Sequence, residues 1–328
     1  MTDSPGGRQE TPSPFPIRHM SSFCSVHYTK RDDTTFPSGD SGCAAWLYRP
    51  AHIESDDSSP RPIVVMAHGL GGVKEMRLDA FAERFTEAGY LCLVFDYRHF
   101  GASGGSPRQL LSVRRQREDW KAAVPHARTI DGSDPERVIV WGTSFGGGHA
   151  MATAADDPSI AAAVAQCPFT SGLSSSLAIP TLTAAKIGVL AVRDIVANLR
   201  GKDPVMVPAY AGPGETALMS APDVVAGCEA LIPDGYDLDN AITARFALDI
   251  IRSFPGSRLK DVTCPIYVAV CTQDSVAPPG PTTRYLEKAP TAEPVFLDEN
   301  HFSIDVGEAL ENNVAQQLEF LARHVPAN

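Results

Sequence analysis

Residues 138–149 read "VIVWGTSFGGGH": four apolar residues, a G-x-S-x-G pentapeptide centred on Ser144, then a run of small residues. A serine held on a tight turn between a buried strand and a helix is pushed clear of the sheet, and the flanking glycines admit backbone where a Cβ would collide. The same pentapeptide recurs in "FGASGGSP" at 100–107, centred on Ser103. Context separates the two. Ser144 follows a strand-like run and precedes a helix-like one, whereas the stretch after Ser103 runs into Pro107. Ser103 reads as part of a Gly-rich loop, and Ser144 as the candidate nucleophile.

The pattern around Ser144 is βα alternation. "IVVMAH" (63–68), "YLCLVFDY" (90–97), "RVIVWG" (137–142) and "IAAAVAQC" (160–167) read as buried strands. Helical spacing lies between them at 74–89, 114–129 and 145–155. An earlier strand pair is expected at "FCSVHYTK" and "GCAAWLYRP" (23–30 and 42–50), joined through "PSGDSG". The alternation breaks after Cys167 and resumes at "IYVAVCTQD" (266–274), a short helix at "RYLEKA", "PVFLD" (294–298) and a final amphipathic helix at 307–325. Stretches 182–199 and 240–254 in the gap carry apolar residues at helical spacing. Repeated βα units imply a mostly parallel sheet with helices on both faces. An interruption near a hundred residues is too long for a loop, and 170–258 is expected as an inserted helical layer on a core formed by 23–169 and 259–328. Residues 1–22, rich in Pro, Ser and Gly, read as a disordered tail.

A nucleophilic serine needs a base and an orienting acid from the ends of later strands. "DENHFSID" puts His301 between the last strand and last helix, and "VAVCTQDSVAPP" puts Asp274 at a strand end. The preceding strand ends in "QCPFT" and offers no carboxylate there. His68 and His99 stand before the serine in the chain, and His149 falls one turn into the helix. Asp298 and Asp305 flank His301, the first at a strand end and the second at a helix start. For the oxyanion hole, the N–H of Phe145 follows the serine, and "AHGLGG" (67–72) offers that of Leu70.

The 328 residues carry a net charge of −11 and are 43% hydrophobic. This balance supports a folded core and disfavours nucleic acid or anionic lipid as a partner. The basic run "SVRRQREDWK" (112–121) reads as a solvated helix face. Seven cysteines show no C-x-x-C pair, no leader-like apolar segment is visible, and no apolar run reaches membrane-span length. The expected compartment is reducing cytoplasm, with no membrane partner. No metal-ligand spacing is present. Any oligomer is expected to be a homodimer.

The order Ser144, Asp274, His301 on this strand pattern resembles the α/β-hydrolase fold from about residue 23 to 325. With "HGLGG", "GTSFGG" and "DYRHFGASGGSPRQ" (96–109), it is similar to the dienelactone-hydrolase and X-Pro-peptidase branches, which include bacterial carboxylesterases and fungal polyketide thiohydrolases and transferases. The resemblance implies an acyl-enzyme mechanism carried by Ser144, Asp274 and His301 without metal or cofactor. It also implies that 170–258 caps the site. The chain lacks the β-rich domain of X-Pro peptidases and has serine where dienelactone hydrolases have cysteine. Small apolar esters, thioesters or lactones are therefore the expected substrates. Acyl transfer and C–C bond hydrolysis use the same triad and stay open.

Overall fold

The computed structural model describes residues 29–51 and 59–327. The expected tail at 1–22, and the first six residues of the expected first strand, lie outside the described residues. Its centre is an eight-stranded sheet. The strands are β1 (Thr29–Ser38), β2 (Ser41–Pro50), β3 (Arg61–Ala67), β4 (Leu91–Phe95), β5 (Ser133–Thr143), β6 (Ala162–Gln166), and, after a long insertion, two more. The insertion contributes a separate two-stranded ribbon, β7 (Met206–Pro208) and β8 (Ala241–Thr243), so the last strands of the main sheet are β9 (Ile266–Cys271) and β10 (Ala292–Leu297). The spatial order is β1-β2-β4-β3-β5-β6-β9-β10. Only the β1–β2 and β2–β4 pairings are antiparallel; the rest of the sheet is parallel.

A parallel strand with both faces covered must be apolar at consecutive positions, not alternate ones. In β3, Ile63 and Val65 enter one core while Val64 and Met66 enter the other. The first core is closed by Trp120 and Val124 of α2 (Val113–Arg128) and Met151 of α3 (Phe145–Asp156), after α1 (Leu78–Glu87) has crossed to the opposite face. There Phe81 and Phe85 of α1 meet Leu310, Val314 and Phe320 of the C-terminal helix at Gly307–His324.

The strand order creates the site. From β3 the chain moves outward to β4, then returns across β3 to β5 and continues outward in the other direction to β6. The loops leaving β3 and β5 thus diverge, opening a crevice at the carboxyl ends of adjacent strands.

Four expectations are corrected. The first strand runs on to Ser38, past the expected end at residue 30; over its described length it is an edge strand with mostly polar residues, paired through ten consecutive positions with β2. Stretch 240–254 is not one helix. Its start forms β8, held by reciprocal bonds between the Asn240 side chain and the Tyr210 backbone, and helix α7 spans only Phe246–Ile250, after α4 (Gly172–Ala178), α5 (Thr181–Leu199) and α6 (Val224–Leu231). The short helix expected at "RYLEKA" begins earlier and becomes α8 (Pro279–Leu286), because proline suits a first helical turn. The C-terminal helix is then α9. Finally, the face of α2 is not wholly solvated. Asp119 is fully buried and accepts bonds from Ser38 Oγ (2.6 Å) and from the backbone N–H and Nε of Arg98, itself buried.

No helix among the described residues is long and apolar enough to cross a membrane. Replacing Asp119 by Ala would leave the Arg98 guanidinium buried, with the more exposed Asp40 and Glu118 as its remaining carboxylate partners and the Arg115 carbonyl as an acceptor. The expected loss is about 3 kcal/mol. It is read as a lower urea midpoint with an unchanged denaturant slope.

Candidate active site

The turn after β5 holds Ser144 at φ 54° and ψ −117°, a backbone region that a residue with a Cβ rarely enters. Three hydrogen bonds pin it there. The Ser144 N–H donates to the Gln166 carbonyl (2.8 Å), and the Ser144 carbonyl accepts from Phe169 (2.8 Å) and Gly148 (3.2 Å). A Cβ on Gly142 would run into the Gly146 carbonyl, and one on Gly146 would stand 2.5 Å from the His68 carbonyl oxygen. The two glycines are thus required by packing, and Ser144 is left projecting at the N-terminus of α3.

Asp274 lies three residues beyond β9. One carboxylate oxygen accepts the N–H groups of Val276 (2.8 Å) and Ala277 (2.7 Å), which leaves the other to face His301 Nδ1 at 2.6 Å. His301 follows β10, in a turn that the Asn300 side chain caps by accepting the N–H groups of Phe302 and Ser303. Its Nε2 is 2.9 Å from Ser144 Oγ. With Nδ1–H donating to Asp274, Nε2 carries the lone pair and Ser144 donates to it. Burial disfavours the charged imidazolium, but the Asp274 carboxylate outweighs it, and the His301 pKa is raised. The line Ser144–His301–Asp274 can therefore take a proton from the hydroxyl and stabilise the resulting cation.

Leu70 and Phe145 both line the cavity at Ser144. The loop carrying Leu70 is drawn against the serine, so that a Cβ on Gly69 would touch Ser144 Cβ at 3.1 Å. Its far end is held by Asp96, which is completely buried and was not singled out in the sequence. Asp96 accepts from the Lys74 N–H and Nζ (both 2.8 Å) and from the Ala102 N–H (3.0 Å). Lys74 Nζ also reaches Glu75 and lies over the Trp46 ring. One carboxylate thus ties the loop after β3 to the loop after β4. The sequence signal was available: an aspartate directly after an apolar strand and before a Gly-rich loop.

The other candidates are used elsewhere. Ser103 is buried, donating to the Asp96 carbonyl and accepting from the Ala44 N–H. The buried ring of His149 pairs with the Gln116 side chain, and His99 bonds the Pro107 carbonyl. Asp298 bonds Thr272 and Gln273. Asp305, in a short 3-10 turn before α9, is buried beside the histidine and accepts from Gln166; burial raises its carboxyl to about 7, against the pull of His301. The six cysteines among the described residues are free and buried. No group of three potential metal ligands occurs among the described residues.

A cavity of about 430 Å³ opens at Ser144. Phe145 and Phe169 line it together with Ile179, Ala184, Ile187 and Leu218 from the insertion.

This chemistry can be set beside known proteins. A family model for serine aminopeptidase, S33, matches residues 58–296, more than half of the chain. The chain belongs to this α/β-hydrolase family. The quorum-quenching protein AidA of Acinetobacter baumannii is 51% identical over 294 residues, covering 90% of this chain and 95% of that protein. The thiohydrolase aneE of Aspergillus aculeatus is 27% identical, covering 79% and 85%. The polyketide transferase grgF of Penicillium is 27% identical, covering 85% and 92%. The crystal structure of the α/β hydrolase GrgF superposes with a TM-score of 0.77 at 25% identity, over 90% of this chain and 99% of that one.

Exchanging Asp274 for Asn removes the charge that raises the His301 pKa. The expected result is a fall in kcat of about 10⁴-fold. The acid limb of the pH–kcat/KM profile should also move to lower pH, because an imidazole without its carboxylate loses its proton more readily. An acid limb that stays put or moves up would assign the base to another group.

Proposed function

We propose that the protein is a serine hydrolase that cleaves a carboxylic ester, thioester or lactone of an apolar acyl group through an acyl-enzyme. The observation that carries this reading is the hydrogen-bonded line from Ser144 through His301 to Asp274 at the mouth of an apolar cavity.

Ser144 Oγ attacks the carbonyl carbon while His301 Nε2 takes its proton. Asp274 stays ionised and steadies the imidazolium. The carbonyl oxygen becomes an oxyanion, bound by the N–H groups of Leu70 and Phe145; one such donor typically lowers the barrier by about 3 kcal/mol. The intermediate collapses, expelling an alkoxide or thiolate that takes the proton from His301. Water then enters, gives a proton to His301 and attacks the ester of Ser144; the acyl–oxygen bond breaks, Ser144 Oγ takes the proton back from His301, and the acid is released. No step calls on a metal or cofactor.

In this reading residues 170–258 form a cap over a core made by 23–169 and 259–328. The walls that Ile179, Ala184, Ile187 and Leu218 contribute would bind the acyl chain. The names of the relatives, a quorum-quenching protein, a thiohydrolase and a polyketide transferase, fit small acyl compounds as the substrate class. The transferase among them also supports a second reading, in which an alcohol replaces water in the last step.

Exchanging Ser144 for Ala should remove ester turnover by several orders of magnitude and abolish labelling by a fluorophosphonate. The folded Ser103→Ala variant should keep both. Labelling at Ser103, or unchanged turnover without Ser144, would reject the mechanism.

Along a p-nitrophenyl ester series, kcat/KM should climb from acetyl to medium-length acyl groups. Each buried methylene contributes about 0.8 kcal/mol, at most about fourfold, and the rise should stop when the cavity is full. A steady fall from acetyl onward would remove the apolar-acyl assignment. Product analysis with added alcohols separates the two readings: esters rather than acids as the main product would favour transfer.

A further inference from the structure

A chain of buried amides runs beneath the site, and its direction is fixed from one end. The Trp141 indole N–H can only donate, and it donates to Gln317 Oε1 at 2.8 Å. That leaves the Gln317 amide nitrogen to face Gln166, whose Oε1 accepts at 3.0 Å. Asn313 Nδ2 donates to the same oxygen at 2.6 Å. The Gln166 nitrogen must then point the other way, where it donates to Asp305 Oδ1 at 2.6 Å. Trp141, Gln166, Asn313 and Gln317 are fully buried, so an unsatisfied member would be costly. The chain ends on Asp305 and requires it to accept.

Gln166 is the joint between the two halves of the site. It ends β6, and its backbone carbonyl accepts the Ser144 N–H at 2.8 Å while its side chain holds Asp305. Asp305 stands four residues after His301, in the 3-10 turn that leads into α9. Its N–H donates to the Phe302 carbonyl at 3.1 Å, and its own carbonyl accepts from Arg77 Nε at 3.4 Å. The second carboxylate oxygen has no hydrogen-bond partner among the described residues. Together with Thr143, Ser144 and His301, Asp305 lines a small cavity of about 60 Å³.

Position alone does not call for a carboxylate here. Gln166 needs an oxygen to donate to, and an asparagine would supply one without the cost of burying a charge. The charged groups around Asp305 are His301 on its own turn and Arg77 from the loop before α1, and it forms no ion pair with Arg77. His301 in turn faces Asp274 from beyond β9 and Cys167 from beyond β6. The Cys167 thiol is pushed up by burial and stays neutral. Burial raises the Asp305 carboxyl to about 7. The His301 pKa is raised above that value, so Asp305 is ionised when the ring titrates.

We propose that Asp305 is a second positioning carboxylate for His301: held in place through Gln166, it stabilises the imidazolium that forms when Ser144 gives up its proton. The proposal rests on the serine-hydrolase reading above. Asp274 fixes the ring by bonding Nδ1, whereas Asp305 makes no bond to the ring and acts through its charge. Because Gln166 holds both Ser144 and Asp305, the nucleophile and the second carboxylate are set against the same residue.

The test is the titration of His301, followed by nitrogen NMR of histidine-labelled protein in a Ser144→Ala background, with and without Asp305→Asn. Asparagine keeps an oxygen for Gln166 and removes only the charge. The His301 midpoint should fall by about one pH unit, because an imidazole with one anion fewer releases its proton more readily. With Ser144 intact, Asp305→Asn should lower kcat for a p-nitrophenyl ester about tenfold. KM should change by less than about twofold, since the lost interaction is made in the transition state. The acid limb of the kcat/KM profile should move to lower pH, and far-UV circular dichroism should match the wild type. Should the asparagine variant fold poorly, Asp305→Ser removes the same charge and offers Gln166 a hydroxyl. A His301 midpoint that stays put or rises in a folded variant, or an unchanged kcat, would overturn the proposal while fluorophosphonate labelling of Ser144 leaves the triad standing. A wild type that is not labelled at Ser144 would remove the triad reading and this proposal with it.

Discussion

The crossing of two backbones at Gly142 and Gly146 is the constraint on which the rest of the molecule depends. The strand end and the first helical turn approach so closely that no Cβ fits between them, and the His68 carbonyl closes the third side. Ser144 must then take a left-handed φ of 54°, a conformation that costs of order 1–3 kcal/mol and persists only where its surroundings dictate it. Its N–H and carbonyl are fixed from β6 and the chain just beyond it, through Gln166 and Phe169. Sheet, turn and helix hold the serine jointly; none of them could do so alone.

The same economy recurs one strand away. Asp96 is buried without exposure and has three donors, two of them from Lys74. A carboxylate in such a place would be costly if unpaired, but here the donors come from the loops that must be kept still. The loop of His68 to Gly72 is anchored at one end by β3 and at the other by this ion pair. Arg98 and Asp119 repeat the device two residues further along, joining the loop after β4 to α2 and β1. The polar residues of "DYRHFGASGGSP" serve mainly as clamps for the site, and Ser103, which matches the same pentapeptide as Ser144, is one of them.

The insertion follows a different rule. The central sheet strands are buried on both faces, whereas α5 is buried on one narrow stripe and carries exposed apolar side chains beyond it. The resemblance implied that the insertion caps the site, and the apolar surface of α5 divides in two. One edge lines the cavity; the larger part points away from it. Apolar surface on the outside of a helix adds little to the fold of a single chain.

The sequence by itself determined the βα alternation, the position of the long insertion, and the three residues Ser144, Asp274 and His301 as candidates. Each of these is a local property. Consecutive apolar residues report a strand covered on both faces, glycines two before and two after a serine report a tight turn, and a lone carboxylate or histidine after a strand needs no partner to be noticed. Only the tertiary structure decided that Nε2 of His301 comes within 2.9 Å of Ser144 Oγ, across 157 residues of chain. It also revealed Asp96 as the anchor of the loop after β3 and split 240–254 into a strand and a short helix. Those outcomes turn on contacts between segments far apart in sequence: Lys74 with Asp96, Asn240 with Tyr210, β7 with β8. An isolated stretch records its own periodicity, but the partner that satisfies a buried carboxylate or an unpaired strand edge is supplied by the fold.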